Sequence, residues 1–359
     1  MNRVYNFSAG PATLPLEVLE EAQRDLVDYQ GIGMSIMEAT HRGKAYEAVH
    51  AEAQANLREL MGIPEEYAVL FLQGGASMQF GMVPMNLLGA GQEADYTNSG
   101  AWGEKAIKDG QKFGKVNIIA DTCNDIPTRV PTPESLKLTP GAAYLHITSN
   151  ETISGAQWKR LPRVDVPVIA DMSSDILSRP INVKDFGLIY AGAQKNLGPS
   201  GVTLVIIRKD LAERCPKNVP VMLKYSTHIE NDSLYNTPPC FGIYILMLVT
   251  RWIKKQGVQN LYAQNIAKAK KLYDTFDGSD GYYKGTAVKE FRSDMNITFR
   301  LPSETLEAAF LAEATKAGFK DLKGHRSVGG IRASIYNAFP VKGVDALVEF
   351  MQDFKRRNG

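Results

Sequence analysis

Cysteine is scarce. Cys123, Cys215 and Cys240 are the three in 359 residues, far apart and without a CxxC pair. That excludes a disulfide framework or a zinc ribbon and fits a reducing compartment; no metal site is expected. Long hydrophobic runs are missing too, since the longest nearly apolar stretch, residues 241–249, falls well short of the ~18 residues a membrane span requires. Neither sign of charge dominates. Lys+Arg number 41 and Asp+Glu 39, a net charge of +2, which argues against nucleic acid or an anionic membrane as the main partner. There is no internal repeat or low-complexity tract. The first eleven residues carry no apolar leader stretch, so the expected location is the cytoplasm.

What is present is ordinary globular composition, 44% hydrophobic and 22% charged, in a length suited to one large or two medium domains. Pro15 opens a helix with Leu16, Leu19, Ala22 and Leu26 at helical spacing, its predicted core face. A second helix carries Val49, Ala53, Leu57 and Leu60 on one side and stops at Gly62 and Pro64. Short apolar runs follow at 68–72, 116–120, 142–147, 166–170, 188–191 and 202–207. They are continuous rather than alternating, the pattern of strands covered on both faces. The segments between several of them are long enough for crossovers, so a mainly parallel α/β sheet is expected.

A long helix is predicted over 238–255, with Asn236 or Thr237 as its cap, proline in its first turn and Gly257 as its stop. Another helix starts at Val258. The tail then alternates strand (295–299), helix (306–317), short strand (330–334) and helix (344–354). The expected division is a large α/β domain at 15–257, with 1–14 and 258–359 forming a smaller α+β domain.

The chemistry gathers at strand ends. Val166-Pro-Val-Ile-Ala-Asp171 ends one buried strand in an acid, and Leu188-Ile-Tyr-Ala-Gly-Ala-Gln-Lys195 ends another in a lysine. Open α/β sheets bind ligands beyond the carboxyl ends of their strands. A lysine and a carboxylate there suit pyridoxal phosphate, whose aldehyde forms a Schiff base with an amine and whose pyridine nitrogen pairs with an acid. A structural Asp–Lys ion pair is an equally open reading of these two residues alone.

Phe71-Leu-Gln-Gly-Gly-Ala-Ser77 reads as strand, glycine turn and a helix from Met78, a cup for phosphate. Trp102 lies among glycines in Ser99-Gly-Ala-Trp-Gly, placed to stack on a ring or simply to pack. Two of the five histidines precede an arginine, His41-Arg42 and His325-Arg326, and Arg332 follows nearby. Guanidinium forks bind carboxylate and phosphate. Each feature alone is weak. Their order is that of a fold-type I pyridoxal phosphate enzyme.

Longer stretches carry a resemblance. Asn6-Phe-Ser-Ala-Gly-Pro11, Met37-Glu-Ala-Thr-His-Arg42, Phe71–Ser77, Leu145-His-Ile-Thr-Ser-Asn150, Ala170-Asp-Met-Ser-Ser-Asp175, Tyr190–Lys195, Asn236-Thr-Pro-Pro239 and Gly324-His-Arg-Ser-Val-Gly-Gly330 together resemble the phosphoserine aminotransferase family. This is a branch of the class V aminotransferases, and the resemblance spans essentially the whole chain. It implies a fold-type I transferase with pyridoxal 5'-phosphate as cofactor, working in serine biosynthesis. The reaction implied is reversible transamination between glutamate/2-oxoglutarate and 3-phosphohydroxypyruvate/O-phospho-L-serine, with 4-phosphohydroxythreonine a second substrate in some relatives.

By the same resemblance Lys195 carries the cofactor, Asp171 meets its ring nitrogen and Trp102 stacks on the ring. Ala76, Ser77 and Gln194 hold the phosphate side, and Thr152 the polar edge. The resemblance also implies a homodimer with shared sites, in which Asn236 and Thr237 reach the phosphate from the neighbouring subunit. Arg332 anchors the α-carboxylate. His41 and Arg42 of the other subunit, with His325 and Arg326, hold the distal anion. A cysteine desulfurase of similar fold needs a cysteine shortly before the carboxylate-binding arginine, and none precedes Arg332 here.

Overall fold

The computed structural model describes residues 3–123 and 127–359. Seven strands form the central sheet: β1 (Tyr67–Leu72), β2 (Glu93–Asn98), β3 (Lys115–Asp121), β4 (Leu145–Thr148), β5 (Val168–Asp171), β6 (Leu188–Gly192) and β7 (Thr203–Arg208). Their spatial order is β1-β7-β6-β5-β4-β2-β3. Only β7 runs against its neighbours; the other pairings are parallel. The fold is therefore α/β around a mainly parallel sheet.

Successive side chains of a strand point to opposite faces. Accordingly Val69, Phe71, Ile189, Ala191, Leu204 and Ile206 enter one apolar layer, while Ala68, Leu70, Leu188, Val205 and Ile207 enter the other. The first layer is covered by α1 (Leu16–Arg24), α2 (Lys44–Met61) and a long helix at Cys240–Gln256; the second by α3 (Gly75–Leu87) and α4 (Ala101–Gly110). Both faces are buried, which is why the runs read as continuously apolar.

Three local expectations need correction. Of the predicted core face of α1 only Ala22 is buried, together with Val18, whereas Leu16, Leu19 and Leu26 are exposed. The i, i+4 pair meets the core instead, and Leu26 lies beyond the helix end. The long helix begins at Cys240, two residues late, because each residue before a proline in Thr237-Pro238-Pro239 is steered away from helical torsions. Asn236 and Thr237 thus precede the helix rather than cap it. The glycine-turn helix starts at Gly75, earlier than Met78, with Gly74 and Gly75 both at positive φ.

Strand β2 has no counterpart in the sequence reading. Its polar residues are buried all the same, Asp95 accepting from the Thr139 N–H at 2.7 Å and Tyr96 stacking on His146 at 4.8 Å.

The remaining chain builds a third apolar cluster. Strands β8 (Lys284–Gly285), β9 (Asn296–Arg300) and β10 (Ile331–Ser334) form a small antiparallel sheet. Helices α6 (Val258–Asp277, the long helix before it being α5), α7 (Glu304–Lys316) and α8 (Val341–Asn358) accompany it. The N-terminal Tyr5–Asn6 pairs in parallel with Phe319–Lys320, and Phe7 enters this same cluster. Buried hydrogen bonds fasten the small sheet to the carboxyl edge of the large one. Asn150 Nδ2 donates to Asn296 Oδ1 at 2.8 Å, and the Asn337 N–H to Asn196 Oδ1 at 3.0 Å. That docking carries Arg332, on β10, over the sheet edge.

Candidate active site

All strands of the large sheet except β7 point their carboxyl ends to one edge. The turns leaving β1, β2, β4, β5 and β6 deliver Gly74–Ser77, Trp102, Thr152, Asp171 and Lys195 to a single cavity of about 430 Å³. Gln194, Ser173, Ala9, Gly10, His325 and Arg332 complete much of its wall. The volume falls within the range of small-molecule sites.

Lys195 donates from Nζ to Thr152 Oγ1 at 2.7 Å and stands 5.3 Å from the centre of the Trp102 ring. Burial drives its amine down to about 8; Asp171 opposes this and Arg332 reinforces it. Asp171 is buried and accepts from the Ser173 N–H at 2.9 Å. Burial pushes its carboxyl up, while Lys195 and the Ser173 bonds pull it down. An amine with an accessible neutral form beside a buried acid is more than a surface ion pair.

At the N-terminus of α3 the Gly75 N–H is taken by Thr203 Oγ1 at 2.8 Å, and Met78 N–H bonds back to Gly74. The N–H groups of Ala76 and Ser77 remain as first-turn donors beside the cavity, a receptor for an anion. Gly192 leaves room for Gln194, since a Cβ there would meet its Oε1 at 2.6 Å.

Arg332 lacks an acidic partner among the described residues, and its buried Nε has no hydrogen bond. His325 sits close to the charges of Arg332, Arg326 and Lys105, and burial together with these cations lowers its pKa. This corner is cationic and could pair with an anion. Arg326 itself is exposed and does not line the cavity.

His41 and Thr237 lie elsewhere. They share a second, open cleft with Met37, Pro199 and Cys240, outside the Lys195 cavity. Arg42 is exposed, and half-buried Asn236 keeps an unpartnered Oδ1. Cys240 is half-buried, with its thiol pushed up by burial. The chain thus gathers Lys195, Asp171, Trp102, Thr152, Ala76, Ser77, Gln194, His325 and Arg332, and leaves His41, Arg42, Asn236 and Thr237 apart.

Sequence reasoning passed over Ser173, Ala9 and Gly10, although all three lie within the matching stretches. It also passed over Glu151, next to Thr152. Glu151 is wholly buried, and burial raises its carboxyl to about 7. Lys105 was missed as well; its Nζ lies 4.4 Å from the centre of the Trp102 ring.

The cavity fits pyridoxal phosphate on its own features: free helix-end donors for the phosphate, an indole wall for the ring, a buried acid, and an amine. Comparison with known proteins points the same way. The family pattern described as Aminotransferase class-V matches residues 4–347. A phosphoserine aminotransferase of Niallia circulans is 55% identical over 359 residues, covering 99% of each chain. The solved phosphoserine aminotransferase from Bacillus circulans subsp. alkalophilus superposes with a TM-score of 0.98 at 55% identity, covering 99% of both chains. A PLP-bound phosphoserine aminotransferase from Trichomonas vaginalis gives 0.94 at 40% identity, over 98% of this chain and 100% of that one. Likeness at this level extends through the whole fold, and the chain belongs to the class-V aminotransferases, within the phosphoserine aminotransferase family.

Proposed function

We propose that this chain is a pyridoxal phosphate-dependent transaminase that moves the amino group of glutamate to 3-phosphohydroxypyruvate, yielding 2-oxoglutarate and O-phospho-L-serine, reversibly, for serine biosynthesis. The observation that carries this reading is the single cavity in which Lys195 and buried Asp171 face an Arg332 without an acidic partner. The relatives' shared name supports the choice of substrate.

When bound, the cofactor supplies an electron sink for the bond between Cα and its hydrogen. Lys195, with its amine near 8, holds or releases a proton at Nζ as a general acid and base close to neutral pH. Thr152 Oγ1 orients that amine. Asp171 would pair with the ring nitrogen, and Trp102 and Ile153, both lining the cavity, would flank the ring. Ala76, Ser77 and Gln194 hold the phosphate end. Arg332 takes the α-carboxylate common to both substrates. His325, with Arg326 and Lys105 near it, takes a distal group that is carboxylate in one substrate and phosphate in the other.

A homodimer completes the site. Two features support it: His41, Arg42, Asn236 and Thr237 stand at or beside a cleft of their own, and the segment from Leu16 to Met37 exposes Leu16, Leu26, Val27, Ile32, Met34 and Met37. Such a run of exposed apolar side chains suits burial against a second copy. Residues 15–257 form the large unit, with 1–14 and 258–359 the small one; the separate apolar cluster around Ile297, Phe310 and Phe354 supports that division. With three free thiols and no helix long and apolar enough to cross a membrane among the described residues, a cytoplasmic enzyme is the consistent reading.

The test is amino-donor preference with 2-oxoglutarate as acceptor. O-phosphoserine should outrun alanine and cysteine by orders of magnitude, and 4-phosphohydroxythreonine assayed alongside reports the second activity. Faster turnover of cysteine or alanine would overturn the assignment.

A further inference from the structure

The buried carboxylate of Glu151 has no part in the chemistry above, yet it sits directly behind the ring wall. Its Oε1 accepts from Ser99 Oγ at 3.2 Å and from the Gly103 N–H at 3.3 Å, while Oε2 faces the Trp102 N–H at 3.5 Å. These are the residue leading into α4 and the first-turn N–H donors of that helix, which no carbonyl one turn earlier can satisfy. A negative charge at this end also opposes the positive pole of the helix. The space is reserved for it: a Cβ on Gly100 would lie 2.6 Å from the Glu151 carboxyl carbon.

The other side of Glu151 is equally fixed. It sits on the short strand Asn150–Glu151, paired with Ala156–Gln157, and its own carbonyl accepts from the Gly155 N–H at 2.8 Å. The next residue is Thr152, whose hydroxyl accepts from Lys195. One residue therefore links the backbone of the indole wall to the hydroxyl that aims the lysine. Its charge couples to Asp171 and Lys195 in the cavity and to Cys123.

We propose that Glu151 is a positioning residue, which sets the pitch of Trp102 against the cofactor ring by tethering the first turn of α4 to the Thr152 strand. This rests on the pyridoxal phosphate reading. Replacement by alanine removes an acceptor for three donors, two of them buried, and frees the helix end, so the indole loses its registration. Replacement by glutamine keeps one oxygen for Ser99 and Gly103 but turns an amide donor toward the Trp102 N–H.

The experiment is equilibrium titration of apoprotein with pyridoxal phosphate, read by quenching of tryptophan fluorescence and by induced circular dichroism in the visible. A charge-assisted hydrogen bond contributes about 1.5–3 kcal/mol, so E151A should weaken cofactor binding roughly 10- to 150-fold, with E151Q in between. The decisive arm is the double variant E151A/W102A. If Glu151 acts through the indole, its effect disappears once W102A is present; a general packing role adds its loss in full. Additive losses, or wild-type affinity and dichroism in both E151A and E151Q, overturn the proposal. Should E151A fail to fold, E151Q against E151Q/W102A decides by the same criterion. Failure of the wild-type apoprotein to bind the cofactor at all would instead sink the underlying functional reading.

Discussion

The ionisation of Lys195 can be tested directly by capture of the cofactor as a function of pH. Only the neutral amine attacks an aldehyde, and burial brings this amine down to about 8 from an ordinary 10.5. At pH 7 the neutral fraction is then roughly 10%, against about 0.03% for an unperturbed lysine, a gain of roughly 300-fold. Mixing apoprotein with pyridoxal phosphate in a stopped-flow spectrometer from pH 6 to 10 should give a rate that rises and levels with a midpoint near 8. Acetyl-lysine amide measured in parallel reports the ionisations of the aldehyde itself. Because the charge of Asp171 raises the lysine, D171N should move the midpoint below that of the wild type. Because Arg332 lowers it, R332Q should move the midpoint the other way. A capture rate that climbs to pH 10 without levelling, or that ignores both substitutions, would refute the electrostatic account.

Other consequences are measurable in the same protein. K195A should abolish turnover and the yellow colour of the bound cofactor; near-normal turnover removes Lys195 from the reaction. R332A should lose about 10- to 150-fold in productive substrate binding, seen in kcat/KM for glutamate and phosphoserine alike. K195A and R42A chains should each be inactive, and co-refolded mixtures should regain part of the activity if sites are shared between subunits. Lys268 is buried in α6, with Nζ donating to the carbonyls of Ile335, Tyr336 and Phe339 at 2.9, 2.7 and 3.3 Å. K268A should therefore cost roughly 2–5 kcal/mol in urea unfolding, and an unchanged midpoint would show those carbonyls satisfied otherwise. Glu151 binds its proton more tightly folded than unfolded, about 7 against 4.5. It thus contributes stability that is complete below pH 4.5 and lost as pH rises through 7, up to about 3 kcal/mol. Unfolding midpoints of E151Q should lack that part of the wild-type pH dependence.

Much of the architecture was open to inspection in the chain. Runs such as Leu188–Gly192 are apolar at every position because both faces are covered, and Gly62 and Gly257 end helices where positive φ is needed. The reading failed where burial and polarity part company. Strand β2 is hidden because polar Asp95 and Thr97 are buried, Asp95 accepting from the distant Thr139 N–H. The leucines of α1 mislead in the opposite sense, being apolar yet exposed.

The candidate site divides along the same line. Local sequence alone determined that Asp171 closes a strand and Lys195 follows one, that a glycine turn leads into a helix beside Ala76 and Ser77, and that cationic side chains cluster at 325–332. These follow from torsional preference and hydrophobic pattern, which act over a few residues. Only the tertiary structure decided which of them meet. Parallel strands bring five separate turns to one edge, and the docking of β10 swings Arg332 above them, while His41 and Thr237 fall into a different cleft. Nor could the chain declare that Glu151 is buried under α4, for a carboxylate's partners there are backbone N–H groups that any residue carries. Propensity is local; convergence and desolvation belong to the packed whole.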